Sequence, residues 1–268
     1  MRIIPTVILF CACLSLSAAR QRASPTPQEN EARSNQQKAR AVIDRMIIAL
    51  GGQAYLTVQD LYSEGRYGRF GHNGDLAGGT VFFRYWQWPD KDRLELTPQR
   101  DIVQLYVGDK VYEVTYKGSQ LQDPQKDEGV KLAMLRHRYA LENVLRTWLN
   151  APGTLLLDEG PTLAINRMAE RITIINSSNE SVSILVLADS HLPAKKVFYI
   201  RDPQSRERDE DEEIYDNWRM VQGVNTPMSR LVQHNGRMAR QEYLQEVIYN
   251  RRPPDDTFTP KLFSRPKK

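Results

Sequence analysis

Residues 214–250, IYDNWRMVQGVNTPMSRLVQHNGRMARQEYLQEVIYN, leave the chain few ways to fold. His234-Asn235-Gly236-Arg237 contains the Asn-Gly pair that a two-residue type I′ hairpin favours, because both central residues need positive φ. Branched, aromatic and polar residues flank that pair on both sides. Tyr243, Val247 and Tyr249 alternate with Leu244, Glu246 and Ile248, so both faces of the last segment carry apolar area. A strand that is apolar on both sides faces a core on one side and a second partner on the other. The stretch therefore predicts a β-meander inside a larger sheet, and what covers its second face becomes the functional question.

The same period of two recurs upstream. Strands are expected at 61–70, 79–88, 92–97, 102–107 and 110–116, divided by His72-Asn73-Gly74, Pro89-Asp90, Pro98, Gly108-Asp109 and Gly118. Four more are expected at 154–157, 169–175, 181–187 and 195–201. Connections this short suit antiparallel neighbours, since parallel strands need long crossovers. Residues 206–213, RERDEDEE, read as a solvated hairpin end or loop, with an active-site acidic cluster as the lesser alternative, because dense mixed charge without apolar neighbours normally marks a surface.

Two segments carry helical periodicity. At 34–50, Ser34 or Asn35 can cap a helix whose stripe is Ala41, Ile43, Met46, Ile47 and Leu50, with Gly51-Gly52 as its stop. At 131–149, Leu141, Val144, Leu145, Trp148 and Leu149 form an apolar face opposite Arg136, His137, Arg138 and Arg146. The expected fold is mainly β with two or three helices. A sheet this wide curls as its twist accumulates, giving a strongly curved, open antiparallel half-barrel with the helices over its concave face. The domain is expected over 34–250, and 251–268 is a Pro-rich tail that cannot continue a central strand. Phe258 and Phe263 are its candidates for tucking into the barrel edge.

The start of the chain resembles an export signal. Met1-Arg2 precedes an apolar run over 3–16 and the small residues Ser17-Ala18-Ala19, the layout of a signal peptide cut after Ala19. The run is shorter than the ~20 residues a membrane span needs, which disfavours a retained anchor. Both cysteines, Cys11 and Cys13, lie inside it, so an exported chain carries neither disulfides nor a Cys-based metal site or nucleophile. Lipidation of Cys13 is the lesser alternative, since Phe10 and Cys11 suit a lipobox poorly. Residues 20–33 read as a flexible leader, and the localisation expected is the periplasm. With 268 residues and a net charge of +4, the chain is too weakly basic to argue for nucleic acid.

Catalytic signals are sparse, and no catalytic residue, metal site or cofactor is assigned. His72, His137, His191 and His234 share no metal-ligand spacing. Ser63 and Ser190 lack the context of an activated nucleophile, and no Gly-rich phosphate loop occurs. The reading is therefore not an enzyme.

Three segments carry a resemblance. The helix end Ala49-Leu50-Gly51-Gly52, the stretch from Trp218-Arg219-Met220-Val221-Gln222 to Gly223-Val224-Asn225-Thr226-Pro227, and the closing Val247-Ile248-Tyr249-Asn250 with Asp255-Asp256-Thr257-Phe258-Thr259-Pro260 resemble the LolA-like outer-membrane lipoprotein-sorting superfamily. The order of elements is similar over most of the chain. The resemblance implies an open curved sheet with helices as a lid over an apolar cavity. It also implies a periplasmic carrier of lipoprotein acyl chains. This chain departs from the compact carriers in its length, its charged 206–213 segment and its tail, and no ligand-handling residue of the family maps onto it.

Burial energetics lead to the same function. Each methylene of an acyl chain is worth about 0.8 kcal/mol when buried, so some sixteen carbons need about 12 kcal/mol of gross burial, more than one side chain supplies. The candidate wall is Phe83, Tyr85, Leu94, Leu96, Leu105, Tyr112, Val114, Ile184, Val186, Phe198, Ile200 and Trp218, with Leu145 and Trp148 on the lid. Each serves equally as ordinary core, because period two shows which residues share a face and not which face is concave. The expected partners are a lipid or lipoprotein acyl chain and an inner- or outer-membrane hand-over protein. The alternative is a non-enzymatic envelope interaction or sensing module on the same fold, adding a partner strand at an open edge.

Overall fold

The computed structural model describes residues 26–71, 73–201 and 207–263. The expected signal peptide (1–19), both cysteines, the first six residues of the leader, His72 and the last five residues of the tail lie outside them. Helix α1 (Pro27–Leu50) and the short α2 (Gln53–Leu56) precede a first meander: β1 (Asp60–Phe70), β2 (Leu76–Gln87), β3 (Lys91–Leu96), β4 (Ile102–Val107), β5 (Lys110–Thr115) and β6 (Gly118–Leu121). Helices α3 (Glu128–Arg138) and α4 (Leu141–Asn143) follow, and α4 runs directly into a π-helical turn, Val144–Trp148. The second meander comprises β7 (Leu155–Ala164), β8 (Arg167–Ile175), β9 (Ser181–Leu187), β10 (Pro193–Arg201), β11 (Arg208–Val221), β12 (Val224–His234) and β13 (Arg237–Tyr249).

All thirteen strands form one antiparallel sheet in the order β6-β5-β4-β3-β2-β1-β13-β12-β11-β10-β9-β8-β7. The two meanders run outward and back, and they meet where β1 pairs with β13. Among the described residues β6 and β7 are unpaired on their outer edges, and the sheet is an unclosed half-barrel. Its curl shows in the packing. Trp86 on β2 shares one hydrophobic cluster with Ile172 and Ile184 on β8 and β9. A flat sheet, at about 4.8 Å per strand, would hold β2 and β8 more than 30 Å apart.

Two glycines make close approaches possible. At Gly65, where β1 bulges against β13, an added Cβ would lie 1.9 Å from the Tyr243 carbonyl oxygen. Gly51, at φ 125°, ends α1 with its Cα against Gly223 of the β11–β12 turn. That turn and the expected Asn235-Gly236 hairpin both take positive φ, at 82° for Gly223 and at 50° and 72° for Asn235 and Gly236.

Helix α1 begins seven residues before the expected start. The Thr26 hydroxyl accepts a hydrogen bond from the Glu29 N–H, the Thr26 N–H donates one to the Glu29 carboxylate, and Pro27 sits at the first helical position. This capping box lies within the segment expected to be a flexible leader. The stripe that α1 buries is Ala39, Val42, Ile43, Met46, Ile47 and Leu50, while Ala41 faces solvent. The Asn35 side chain exchanges two hydrogen bonds with the Asp158 backbone, fixing the helix to edge strand β7.

The expected single helix over 131–149 is broken. Tyr139 and Ala140 leave helical geometry, and the Asn143 amide caps the His137 carbonyl. The break turns the Tyr139 ring into the core, 5.4 Å from Trp148 and 5.0 Å from Phe198 between ring centres. Arg206 of the charged segment 206–213 lies outside the described residues, and the rest of that segment is also not a tip. From Arg208 onward it forms the first half of β11, where Asp211 and Glu212 are buried.

The tail lies across the outer face of β2 to β5. Arg93, fully buried, donates to the carbonyl oxygens of Thr257, Thr259 and Lys261 and to Glu95. Its guanidinium stacks on Phe263 at 4.0 Å, and Phe258 packs with Val103, Leu105 and Val114.

Candidate functional site

The concave face divides into an apolar part and a charged part. Over β8 to β10, Ile172, Ile174, Val182, Ile184, Val186 and Phe198 meet the buried stripe of α1 and Val144, Leu145 and Trp148. This part is filled core. Toward β2, β3 and β11 to β13, the helices stop short and leave a cleft of about 130 Å³. Its apolar walls are Leu50, Tyr55, Val58, Leu61, Trp86, Leu94, Leu141, Tyr215, Trp218 and Val232. Ala133, Arg136 and His137 of α3 form its roof.

The rest of the lining is ionic. Five arginines (Arg84, Arg136, Arg146, Arg230, Arg240) and five carboxylates (Asp92, Glu142, Asp211, Glu213, Glu242) face the cleft. Arg84 holds Asp92 through two hydrogen bonds of 2.9 and 2.6 Å. Arg136, from α3, reaches across to Asp211 at 2.6 and 3.0 Å. Glu213 is held by Lys196 at 2.7 Å and lies 3.9 Å from Arg230, while Arg230 pairs with Glu242 at 3.0 Å. Arg240 lies 3.4 Å from Glu242. Arg146 donates to the Val58 carbonyl and stacks on Trp88 at 3.8 Å.

Burial alone would make these carboxylates harder to ionise, yet their cations outweigh it. Burial raises the Asp92 pKa, but Arg84 and His137, 3.7 Å away, bring it well below the usual carboxylate range. Lys196 and Arg230 do the same for Glu213, while Arg230 and Arg240 lower the pKa of Glu242. Tyrosines respond in the opposite direction. Burial, then the Asp92 charge, pushes Tyr106 up to about 12, and burial with Glu142 raises Tyr55 well above its ordinary value.

Among the described residues, several buried polar atoms at the cleft make no hydrogen bond: Tyr55 Oη, His137 Nε2, Arg230 Nε and Arg240 Nε. Such atoms are rare in folded proteins and call for a partner. Among the described residues, no group of three or more His, Cys, Asp or Glu side chains could hold a metal ion.

The candidate wall residues scatter over three places. Leu94 and Trp218 line the cleft. Leu145, Trp148, Ile184, Val186 and Phe198 lie in the filled core, with Ile200 packed against it. Phe83, Tyr85, Leu105, Tyr112 and Val114 sit on the outer face: Arg100 covers Phe83 at 3.6 Å, Tyr85 meets Tyr62 and Phe263, and the other three pack under the tail. Leu96 shares the Leu94 side of β3, opposite Phe82, and does not reach the cleft. The charged lining has no counterpart among those candidates. One signal pointed to Asp211 and Glu213: no Gly, Pro or Asn separates RERDEDEE from Ile214, so the strand runs on unbroken.

No family model matches the sequence, and no curated protein is similar enough to match. Solved structures are similar in fold. A DUF1329 family protein from Desulfovibrio piger superposes with a TM-score of 0.57 at 11% identity, over 82% of this chain and 96% of the other. A domain named for outer membrane lipoprotein sorting, from Vibrio parahaemolyticus, gives 0.56 at 8% identity, over 85% and 97%. A LolA superfamily protein from Nitrosomonas europaea gives 0.51 at 13% identity, over 82% and 97%. The chain has a LolA-like fold.

Proposed function

We propose that this chain is a periplasmic carrier or binder of lipids or acylated proteins, holding an acyl chain in the cleft beneath α3 during envelope transport. The observation that carries this reading is the roof. Helix α3 spans eleven residues over the cleft, yet none of its side chains is fully buried. It is anchored through polar contacts at its C-terminal end, Arg136 to Asp211 and Arg138 to Glu180. Leu132 and Leu135 pack on the core only partly buried, so lifting α3 about the anchored Tyr139 exposes a small apolar area.

The closed cleft, at about 130 Å³, is near the ~150 Å³ of an apolar cavity that admits benzene, and short of the 300–1,000 Å³ of ordinary ligand pockets. An acyl chain therefore enters as α3 moves outward, sliding between Trp86, Leu94, Leu141 and Trp218. Release at a hand-over protein reverses the motion. The LolA-like fold and the sorting role named for the Vibrio domain support the same reading. No bond is made or broken, so the function is not enzymatic.

Native mass spectrometry of protein purified from the periplasm tests it. Adducts of lipid mass are expected, lost on delipidation and regained with added lipid. Protein that stays at its bare mass, even after incubation with acylated ligands, rules carriage out. If that protein instead captures a strand at edge β7, the interaction module is the function.

A further inference from the structure

We infer that the cleft seats the anionic head of its guest, a carboxylate or phosphate ester at the end of an aliphatic tail, on the guanidinium groups of Arg230 and Arg240. This rests on the carrier reading and adds the chemical class of the cargo. Three features of the cleft floor lead to it.

The first is a local charge imbalance. Asp92 is matched by Arg84 and Asp211 by Arg136, each in a two-point hydrogen-bonded pair. Glu142 and Arg146 balance each other near α4. The floor formed by β10 to β13 differs: Lys196, from behind the five-and-five lining, already holds Glu213, and among the described residues Arg230 and Arg240 converge on Glu242. Among the described residues three cations thus meet two carboxylates, and Arg240, 3.4 Å from Glu242 and a quarter exposed at the cleft, is the least closely paired.

The second is spare donor capacity at the same two residues. Arg230 Nε and Arg240 Nε are buried and make no hydrogen bond among the described residues, although Arg240 lies 3.4 Å from Glu242. A guanidinium has only donors, so the missing partner is an acceptor. An oxyanion supplies both the acceptors and the missing negative charge, and such charge-assisted bonds are the strong ones.

The third is position. Both arginines line the same cleft as Trp86, Leu94 and Trp218. A guest with its head on Arg230 and Arg240 can lay its tail on that wall.

The test compares four amphiphiles with the same twelve-carbon tail, each below its micellar concentration, by calorimetric titration at pH 7.4. Laurate and dodecyl phosphate are expected to bind at least tenfold tighter than neutral monolauroylglycerol, with dodecyltrimethylammonium weakest. The tighter of the two anions tells a fatty-acid head from a phospholipid-type head. Arg240→Met leaves Lys196 and Arg230 balanced against Glu213 and Glu242, so the variant is expected to fold. It should lower the affinity for both anions at least tenfold and change that for monolauroylglycerol less than threefold. A thermal melt on the same sample verifies folding, and should the variant not fold, Arg240→Lys is expected to give a smaller loss. The inference is overturned if the neutral amphiphile binds as tightly as laurate, or if folded Arg240 variants bind the anions unchanged. Failure of all four to bind the wild type overturns the carrier reading itself, a different result.

Discussion

At the scale of single residues, the bulge at Gly65 is the most demanding point in the sheet. An added Cβ there meets the Tyr243 carbonyl oxygen at 1.9 Å, and neither strand can retreat without breaking the β1–β13 pairing that joins the two meanders. Gly65→Ala is expected to cost at least about 2 kcal/mol, read from the urea midpoint. Gly78→Ala, on β2 with nothing within 4 Å of the added atom, is expected to stay within about 0.5 kcal/mol of wild type. Equal effects would mean that the close approach at Gly65 is not real. Some residues could be read from sequence because their role is local: Asn235 and Gly236 adopt the positive φ their types favour. Others could not. Asp211 finds its cation, Arg136, seventy-five positions earlier, so nothing near it in sequence tells a buried charge from a solvated one.

At the scale of elements, the tail decides which aromatic residues are available to a ligand. On β2, Phe82, Arg84 and Trp86 face inward while Phe83 and Tyr85 face out, and alternation gives both sets equal standing. The outer set needs cover: Arg100 supplies it for Phe83, and the tail, held by Arg93, supplies it for Tyr85 through Phe263. Arg93→Met leaves Glu95 buried, with only Arg100 nearby at 3.6 Å, and is expected to cost on the order of 3 kcal/mol. The double variant Arg93→Met, Glu95→Leu is expected to regain most of that stability. Residues 254–263 should nonetheless exchange their amide hydrogens faster than in wild type, because three carbonyl contacts are gone. An unchanged exchange rate would show that Phe258 and Phe263 hold the tail alone. Elements bounded by turn residues, β4 and β9 among them, have the ends expected from sequence, because Gly, Pro and Asn set those ends locally. The start of α1 and the break after α3 differ because a capping box and a ring packed in the core set them instead.

At the scale of the whole molecule, a thirteen-stranded curl has more inner surface than its helices can cover. An uncovered apolar wall would collapse or aggregate, and the band of paired charges keeps the remaining interior open at the cost of desolvating its members. That band makes stability depend on pH, and the sign follows from its depressed carboxylates. Asp92, Glu213 and Glu242 titrate lower in the folded chain than in the unfolded one, where the ordinary values are about 4. Their contribution is therefore fully present above that value and is lost as pH falls from there toward the folded values. The urea midpoint is expected to be flat from pH 6 to 8 as far as these groups act, and to fall steeply between pH 5 and pH 3. Because the pairs are buried, 1 M salt should leave most of that acid sensitivity in place, whereas surface pairs would be screened away. A midpoint that holds to pH 3, or an acid transition that high salt removes, would mean that the carboxylates reach solvent and that the charged band does not keep the cleft open.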